Sequence, residues 1–513
     1  MCLSCISDRI RLPILVVAFW HVVLVNSTTC QEGFKKLIYL PETESSNIDD
    51  IAYWNGKLVM RGNAFNDSLN LWGLSILTMD TTGNLLSYNT IYDTVNHRHN
   101  VVNSPSRFII TDDNRFVIPA SYFNGRNVVL FITDTTGNEI STHEYPNSEK
   151  TIFVEGIQQI GTSFYILGTI SRYNGLNDIF IIKTDSLGNY VWNKYYGSAA
   201  NEYFSDAQVT ENSTLVISSK VLLIGGGSQA WIFSVDTSGT IIYDWKGDQD
   251  DARVKGGGSF YTTQNGDIII TSLEVKEVLL QGAYNLFNGP TITKLDSNFN
   301  FIWKDTLAHF TSAWDNFVDL EYDSTRDEFV AVGQRMVLYY PWYGSLEVWV
   351  VKFKPDGEIM WSISDTIASD SIHGVWHLTS GMVFSPEGSI YITGNLETFT
   401  NPPNNCGWVI KVTPDGCMDT LCTITSVEKP PDPRKLNYVK VFPNPVEDEI
   451  NILIHDLSGP GILNLFNLDG RLLLTTTVYQ GENTIPIDLP SGIYFYSIFN
   501  NNRITATGKI AVH

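Results

Sequence analysis

The chain has 513 residues and a formal net charge of −22, with 55 acidic side chains against 33 basic ones. That balance, with no run of Lys and Arg, argues against a phosphate backbone as partner, so no nucleic acid is expected. Aromatics at 12%, 39 glycines and only 17% charged residues describe a β-rich, turn-rich chain with ample core material.

The N-terminus reads as an export signal. Arg9 and Arg11 give a basic start, and Leu12 to Val25 is an apolar run of fourteen residues, short for a bilayer span. A cut after Ser27 is acceptable, and segment 1–29 is assigned to the signal peptide. Ser27-Thr28-Thr29 before Cys30 makes a poor lipidation site, so simple secretion is preferred. Cys2 and Cys5 fall in the removed segment. Cys30, Cys406, Cys417 and Cys422 remain, and in an oxidising compartment they are disulfide candidates with three possible pairings. Cys30 opens the mature chain and the other three close the repeats, so a bridge tying the two ends is one expectation. A metal is not expected, because no second CxxC or His pair lies near.

From 30 to 425 one pattern recurs: an apolar strand, an Asp-x-x-Gly turn, and a second strand. The turns are Asp80-Thr-Thr-Gly83, Asp134-Thr-Thr-Gly137, Asp185-Ser-Leu-Gly188 and Asp236-Thr-Ser-Gly239, then a degenerate Asp296-Ser-Asn-Phe299. Shortened copies follow at Pro355-Asp356-Gly357 and Pro414-Asp415-Gly416. The seven turn ends are spaced by 54, 51, 51, 60, 58 and 59 residues. Asp supports such a turn with its side chain, and Gly supplies the positive φ. Four residues after the turn end come Trp192, Tyr243, Trp303 and Trp361, with Ser87 and Ser141 in the first two copies. Recurrence assigns that slot to the core between units. A strand about twenty residues ahead of each turn often ends in a small residue, as at Gly62, Gly168, Thr271 and Gly394. Three to four short strands per period, without helical periodicity, is the size of a propeller blade. The fold expected is all-β: a seven-bladed β-propeller followed by a small Ig-like β-sandwich. Leu37 to Leu40 is expected to pair into the last blade and close the ring. A β-helix is the runner-up, but its repeats are shorter.

Val427-Glu-Lys-Pro-Pro-Asp-Pro-Arg434 is polar and Pro-rich, so 426–438 reads as a linker. The segment 439–513 then holds six alternating strands separated by Gly and Asn/Asp turns, which suits a sandwich. It carries Val441-Phe442-Pro443-Asn444-Pro445 with Glu447 and Asp448, then Leu465-Phe466-Asn467-Leu468-Asp469-Gly470-Arg471. Leu489-Pro490-Ser491-Gly492-Ile493-Tyr494 and Gly508-Lys509-Ile510-Ala511-Val512 follow. In order and spacing these residues resemble the C-terminal sorting domain of proteins exported by the type IX secretion system of Bacteroidetes. The resemblance implies a sorting signal that includes Pro443, Asn444, Pro445, Gly470, Gly492, Tyr494 and Lys509. It implies the outer-membrane translocon as partner, passage through the periplasm, and a secreted or cell-surface destination. The repeat region is similar to propellers common in such proteins, with Gly407 to Cys417 similar to their last blade.

The sequence holds no Gly-x-Ser-x-Gly elbow and no HExxH. His97 with His99, and His373 with His377, are read as ordinary polar residues because no third ligand is placed. The repeated Asp residues are read as turn stabilisers, since each turn has essentially one carboxylate and a Ca²⁺ loop needs several. The acidic cluster Asp248 to Asp251 is read as a solvated loop. Tyr339-Tyr340-Pro341-Trp342-Tyr343 occurs once, in a long period. Tyr339, Tyr340, Trp342 and Tyr343 are therefore the candidate ligand-binding residues, placed to stack on a sugar or grip a peptide. The expectation is a propeller acting as a binding platform for a carbohydrate or protein ligand, without cofactor. The alternative is an extracellular hydrolase or lyase of polysaccharide or peptide, with its site at the propeller mouth.

Overall fold

Each repeat folds as a four-stranded antiparallel meander. Blade 3 shows the pattern: Thr151–Ile160, Ser163–Ser171, Asn177–Thr184 and Tyr190–Tyr196 pair in that order. The middle strands read as unbroken apolar runs, such as Ile179-Phe180-Ile181-Ile182, because neighbouring blades cover both of their faces. The outermost strand is covered less and exposes Tyr190 and Val191. The computed structural model describes residues 33–418 and 439–512 except 41–42, 44, 97, 99, 102–106, 123–126, 147–150, 174, 224–227, 248–255, 281–282, 308–313, 340–342, 368–374, 399–404, 443–445, 447, 455–458, 468–470, 488 and 501–502. Those residues contain no helix.

Seven such blades form the ring, and seven apolar clusters each join one blade to the next. One cluster, for example, unites Leu167, Ile179 and Tyr196 of blade 3 with Phe204, Leu215 and Phe233 of blade 4. In blade 2 the innermost strand is split into Asn100–Val101 and Ile109–Ile110. The ring closes as expected, but through Phe34–Ile38 rather than Leu37 to Leu40. Phe34–Ile38 pairs antiparallel with Cys406–Val412 and supplies the outer strand of the last blade.

The turns are built as their residues dictate. The Asp80 carboxylate accepts the Thr82 N–H and the Asn84 N–H, each at 2.9 Å, and Gly83 has φ +89°. Despite partial desolvation, these bonds and the two side chains hold the Asp80 carboxyl down at about 2. The recurring aromatic slot is inter-blade packing. Trp361 of blade 6 lies over Gly416 of blade 7, where an added Cβ would sit 3.1 Å from the indole. Its Nε1–H donates to the Pro414 carbonyl at 3.3 Å. Trp303 does the same on Gly357 and Pro355.

One cysteine expectation is corrected. Cys406 is a free, buried thiol, not a bridge partner. It sits inside the cluster of Val375, Met382, Leu396 and Trp408, with the Tyr39 hydroxyl as its polar neighbour. Cys30 and Cys422 lie outside the described residues.

The tail forms a sandwich of a three-stranded and a four-stranded sheet around one apolar core. A strand not expected from the sequence, Val439–Phe442, pairs with Glu449–Ile454.

Candidate functional site

The innermost strands share a local irregularity. In five of them one extra residue bulges, between Ile48 and Asp50, Val154 and Gly156, Phe204 and Asp206, Phe317 and Asp319, and Thr379 and Gly381. A small residue stands opposite each: Gly62, Gly168, Ser219, Gly333 and Gly394. The bulge pushes its backbone close. A Cβ at Gly62 would lie 1.8 Å from the Asn47 carbonyl oxygen, and one at Gly394 2.0 Å from that of Leu378.

The residue after the bulge, or its counterpart in the other two blades, forms a ring at the axis: Asp50, Arg107, Gly156, Asp206, Ser259, Asp319 and Gly381. Its members staple successive blades. Asp50 accepts the Phe108 N–H at 2.9 Å, Asp206 the Phe260 N–H at 3.2 Å, and Asp319 the Met382 N–H at 3.0 Å. The Ser259 hydroxyl donates to Asp206 at 2.8 Å and accepts the Leu320 N–H at 3.2 Å. Arg107 crosses the axis to Asp319 at 2.5 Å and to Glu321 at 3.1 Å.

Acid outnumbers base here. Asp319 above all, then Asp206, Glu321 and Asp50, raise the Arg107 guanidinium well above its ordinary value. Burial pushes Asp50 up to about 6, and Glu155, which accepts the Thr169 hydroxyl at 2.7 Å, up to about 7. Burial likewise raises Glu321 to about 7, with Arg107 opposing and Asp319 adding to the shift. Convergent carboxylates are what a hydrolase would need. The axial cavity, however, measures only about 30 Å³. That is room for a water molecule or two, not a sugar ring. Among the described residues no group of three His, Cys, Asp or Glu is placed to hold a metal ion. His377 is fully buried and uses both ring nitrogens, toward the Leu346 carbonyl at 2.7 Å and the Ile367 N–H at 3.2 Å. The desolvation holds it down at about 4. His97, His99 and His373 lie outside the described residues.

The two faces of the ring differ. First-to-second and third-to-fourth strand turns, including all the Asp-x-x-Gly copies, lie on one face. Second-to-third hairpins lie on the other, and two of them are long. In blade 5, Ile268–Leu280 and Ala283–Leu295 continue past the rest of the sheet through eight pairs, Leu273↔Pro290 to Leu280↔Ala283. In blade 6, Glu328–Tyr339 and Tyr343–Phe353 do so through five, Arg335↔Glu347 to Tyr339↔Tyr343, and the base of this ribbon is buried against blade 7, where Leu346 pairs with Trp376. At about 3.3 Å per residue these ribbons run roughly 25 and 15 Å past the pairing with their outer strands. Tyr339 and Tyr343 are thus the last backbone pair of the second ribbon, and Tyr340 and Trp342 lie outside the described residues.

Sequence reasoning missed an aromatic pair on this same face. Trp314, half exposed, leads into the inner strand of blade 6, and Trp376 begins that of blade 7. Their rings lie 5.2 Å apart at 44°. The sequence places them 62 residues apart, close to one repeat, and that spacing was the available signal.

In the tail, the motif residues that the structure describes gather at one end of the four-stranded sheet. Gly492 pairs with Val512, Tyr494 with Ile510, and Phe495 with Lys509. Tyr494 is buried, and its hydroxyl donates to the Pro490 carbonyl at 2.7 Å. Pro443, Asn444, Pro445 and Gly470 lie outside the described residues. Residues 440–513 match the family described as the secretion system C-terminal sorting domain. The chain is a type IX secretion cargo. Its destination is the cell surface or the extracellular space.

No curated protein matches this cargo. Among solved structures it is similar to the β-propeller domain of the Trilobed protease from Pyrococcus furiosus, at 11% identity and TM-score 0.39, covering 74% of this chain and 98% of that one. It is also similar to a subtype N11 neuraminidase-like protein of A/flat-faced bat/Peru/033/2010, at 10% identity and TM-score 0.38, covering 76% and 96%. A polysaccharide lyase of family PL25, an ulvan lyase, matches at 8% identity and TM-score 0.47, covering 72% and 95%.

Proposed function

We propose that the exported propeller is a binding platform for a carbohydrate or protein ligand, held on the face that carries the long hairpins of blades 5 and 6. The observation that carries this reading is the blade 6 ribbon, which runs past its outer strand to the pair Tyr339↔Tyr343, between which the sequence reads Tyr340-Pro341-Trp342. A ribbon needs no such length to close a blade, as the seven-residue middle strands of blade 2 demonstrate. Aromatic rings on a projecting turn offer flat apolar area with polar edges, suited to a sugar face or a peptide. Both tips are uncharged, over 278–290 and 337–346, in a chain of net charge −22. That composition favours a neutral ligand.

A hydrolase or lyase reading has one observation in its favour, the carboxylates converging on the axis. The staple bonds and the small cavity support an architectural role for those groups instead. The test is the Trp342→Ala, Tyr343→Ala double variant of the exported protein, assayed on a glycan array and on intact cells. Loss of binding with an unchanged melting temperature supports the platform. Retained binding, or a collapse in stability as for core aromatics, overturns it.

A further inference from the structure

A sandwich normally turns apolar residues inward and polar ones outward on each strand. The four-stranded sheet of the tail breaks that rule most at one end. Leu472, Phe466, Phe495 and Lys509 are consecutive cross-strand partners and form one row across all four strands. Leu463, Leu465, Tyr494 and Ile498, which alternate with them, fill the core, so the row is on the outer side. Leu472 is 50% exposed and Phe495 44%, with Ile493 beside it at 48%. The next row along, Thr475, Asn464 and Ser497, is polar, and the Thr475 hydroxyl donates to Asn464 at 2.9 Å. Beyond that polar row one more apolar side chain, Ile462, faces outward at 47% exposure, so the polar row bounds the patch on this side. The patch coincides with the end of the sheet where Gly492, Tyr494 and Lys509 of the sorting motifs lie.

We infer that the row Leu472–Phe466–Phe495, edged by Lys509, is the surface through which the outer-membrane secretion machinery reads this cargo. The inference rests on the sorting assignment, which requires that something bind this domain. Leu472 and Phe495 exposed on either side of a half-buried Phe466 are a costly apolar surface to leave to water, and central aromatics are what a partner's pocket grips most strongly. Tyr494 and the core beneath hold the row without being part of it, so the surface can be altered while the sandwich stays folded.

The test uses the full-length chain expressed in a host with the type IX system. Phe466→Ser with Phe495→Ser is compared with Thr475→Ala with Thr477→Ala on the same outer face, and with deletion of Val439–His513. Cargo is quantified in the medium and on the surface against the periplasm. Protease resistance of the purified variants reports folding. The aromatic pair is expected to cut export by about tenfold or more while the domain remains protease-resistant, and the Thr pair to leave export unchanged. Normal export of the folded Phe466→Ser, Phe495→Ser variant overturns the inference. So does an effect confined to self-association in sedimentation, which would make the row a contact between copies. Should that variant prove unfolded, Phe495→Tyr and Leu472→Gln are the second set, with the same criterion. If the deletion is exported normally, the sorting assignment itself fails, which is a separate outcome.

Discussion

Tyr243 stacks on Phe299, with ring centroids 4.9 Å apart and planes 17° from parallel. Phe299 occupies the turn position that other copies give to Gly, at φ +62°, and Trp245 stacks on its ring as well. In blades 6 and 7 an aromatic from the outer strand of the preceding blade covers a bare Gly, whereas in blade 5 a side chain replaces the Gly and is itself the surface packed upon. Left-handed backbone costs a non-Gly residue about 1 kcal/mol, and each aromatic pair returns about as much. Phe299→Gly should thus lower stability by about 1–2 kcal/mol, and Phe299→Ala by more, because Ala keeps the backbone strain and loses the rings. Urea denaturation of the three proteins checks the order, and an Ala variant more stable than the Gly variant would contradict it.

Gly416 and Gly56 separate two reasons for glycine. Both have positive φ, +89° and +73°. A Cβ at Gly416 meets the Trp361 indole at 3.1 Å, whereas one at Gly56 meets nothing within 4 Å. Gly56→Ala should cost about 1 kcal/mol for conformation alone, and Gly416→Ala about 2–3 kcal/mol as the indole is displaced. Equal losses in thermal unfolding would mean that the blade contact contributes nothing.

Stability should depend on pH through Glu155. Its folded pKa, about 7, lies above the ordinary 4.5 because burial disfavours the charge. A raised carboxyl binds its proton more tightly in the folded state. Its contribution is therefore fully present below about pH 4.5 and is lost as pH rises through 7. Glu155→Gln should match the wild type near pH 4 and melt higher than it at pH 8. A variant with an unchanged pH profile would show that Glu155 is charged in the fold.

Burial also predicts the thiol chemistry. Cys406 should resist alkylation in the native protein and react fully once the chain is unfolded, its pKa being raised by burial. Cys417 is expected to be oxidised, with Cys30 or Cys422 as partner. Peptide mapping of the secreted protein under non-reducing conditions decides the partner, and a free Cys417 would leave the repeats without a bridge.

What the sequence made legible was local. An Asp and a Gly three residues apart define a turn whatever surrounds it, so Asp80 to Gly83 and its copies could be counted, and the blades with them. The slot of Trp192 and Trp361 was readable because repetition exposes a packing role. The axis was not readable in that way. Arg107 meets Asp319 across 212 positions, and no spacing announces it. Its trace was present all the same: Asp50-Ile51, Asp206-Ala207 and Asp319-Leu320 set an acid before the apolar residue of three inner strands, and Arg107-Phe108 inverts the charge. The small residues at Gly62 and Gly394 were noticed, but their cause, a bulged carbonyl opposite, is a backbone irregularity that side-chain patterns do not encode. Tyr340 and Trp342 fall outside the described residues, so the aromatic hairpin is placed by its flanking strands alone.

The pairing of Phe34–Ile38 with Cys406–Val412 brings together segments roughly 370 residues apart, a closure that costs about 5 kcal/mol of chain entropy. The start and the finish of the repeats consequently occupy one blade, and the ring has no structural first member. Joining them by a short linker and opening the chain instead at a surface turn such as Asp236 to Gly239 would yield a permuted polypeptide with the same seven contacts between blades.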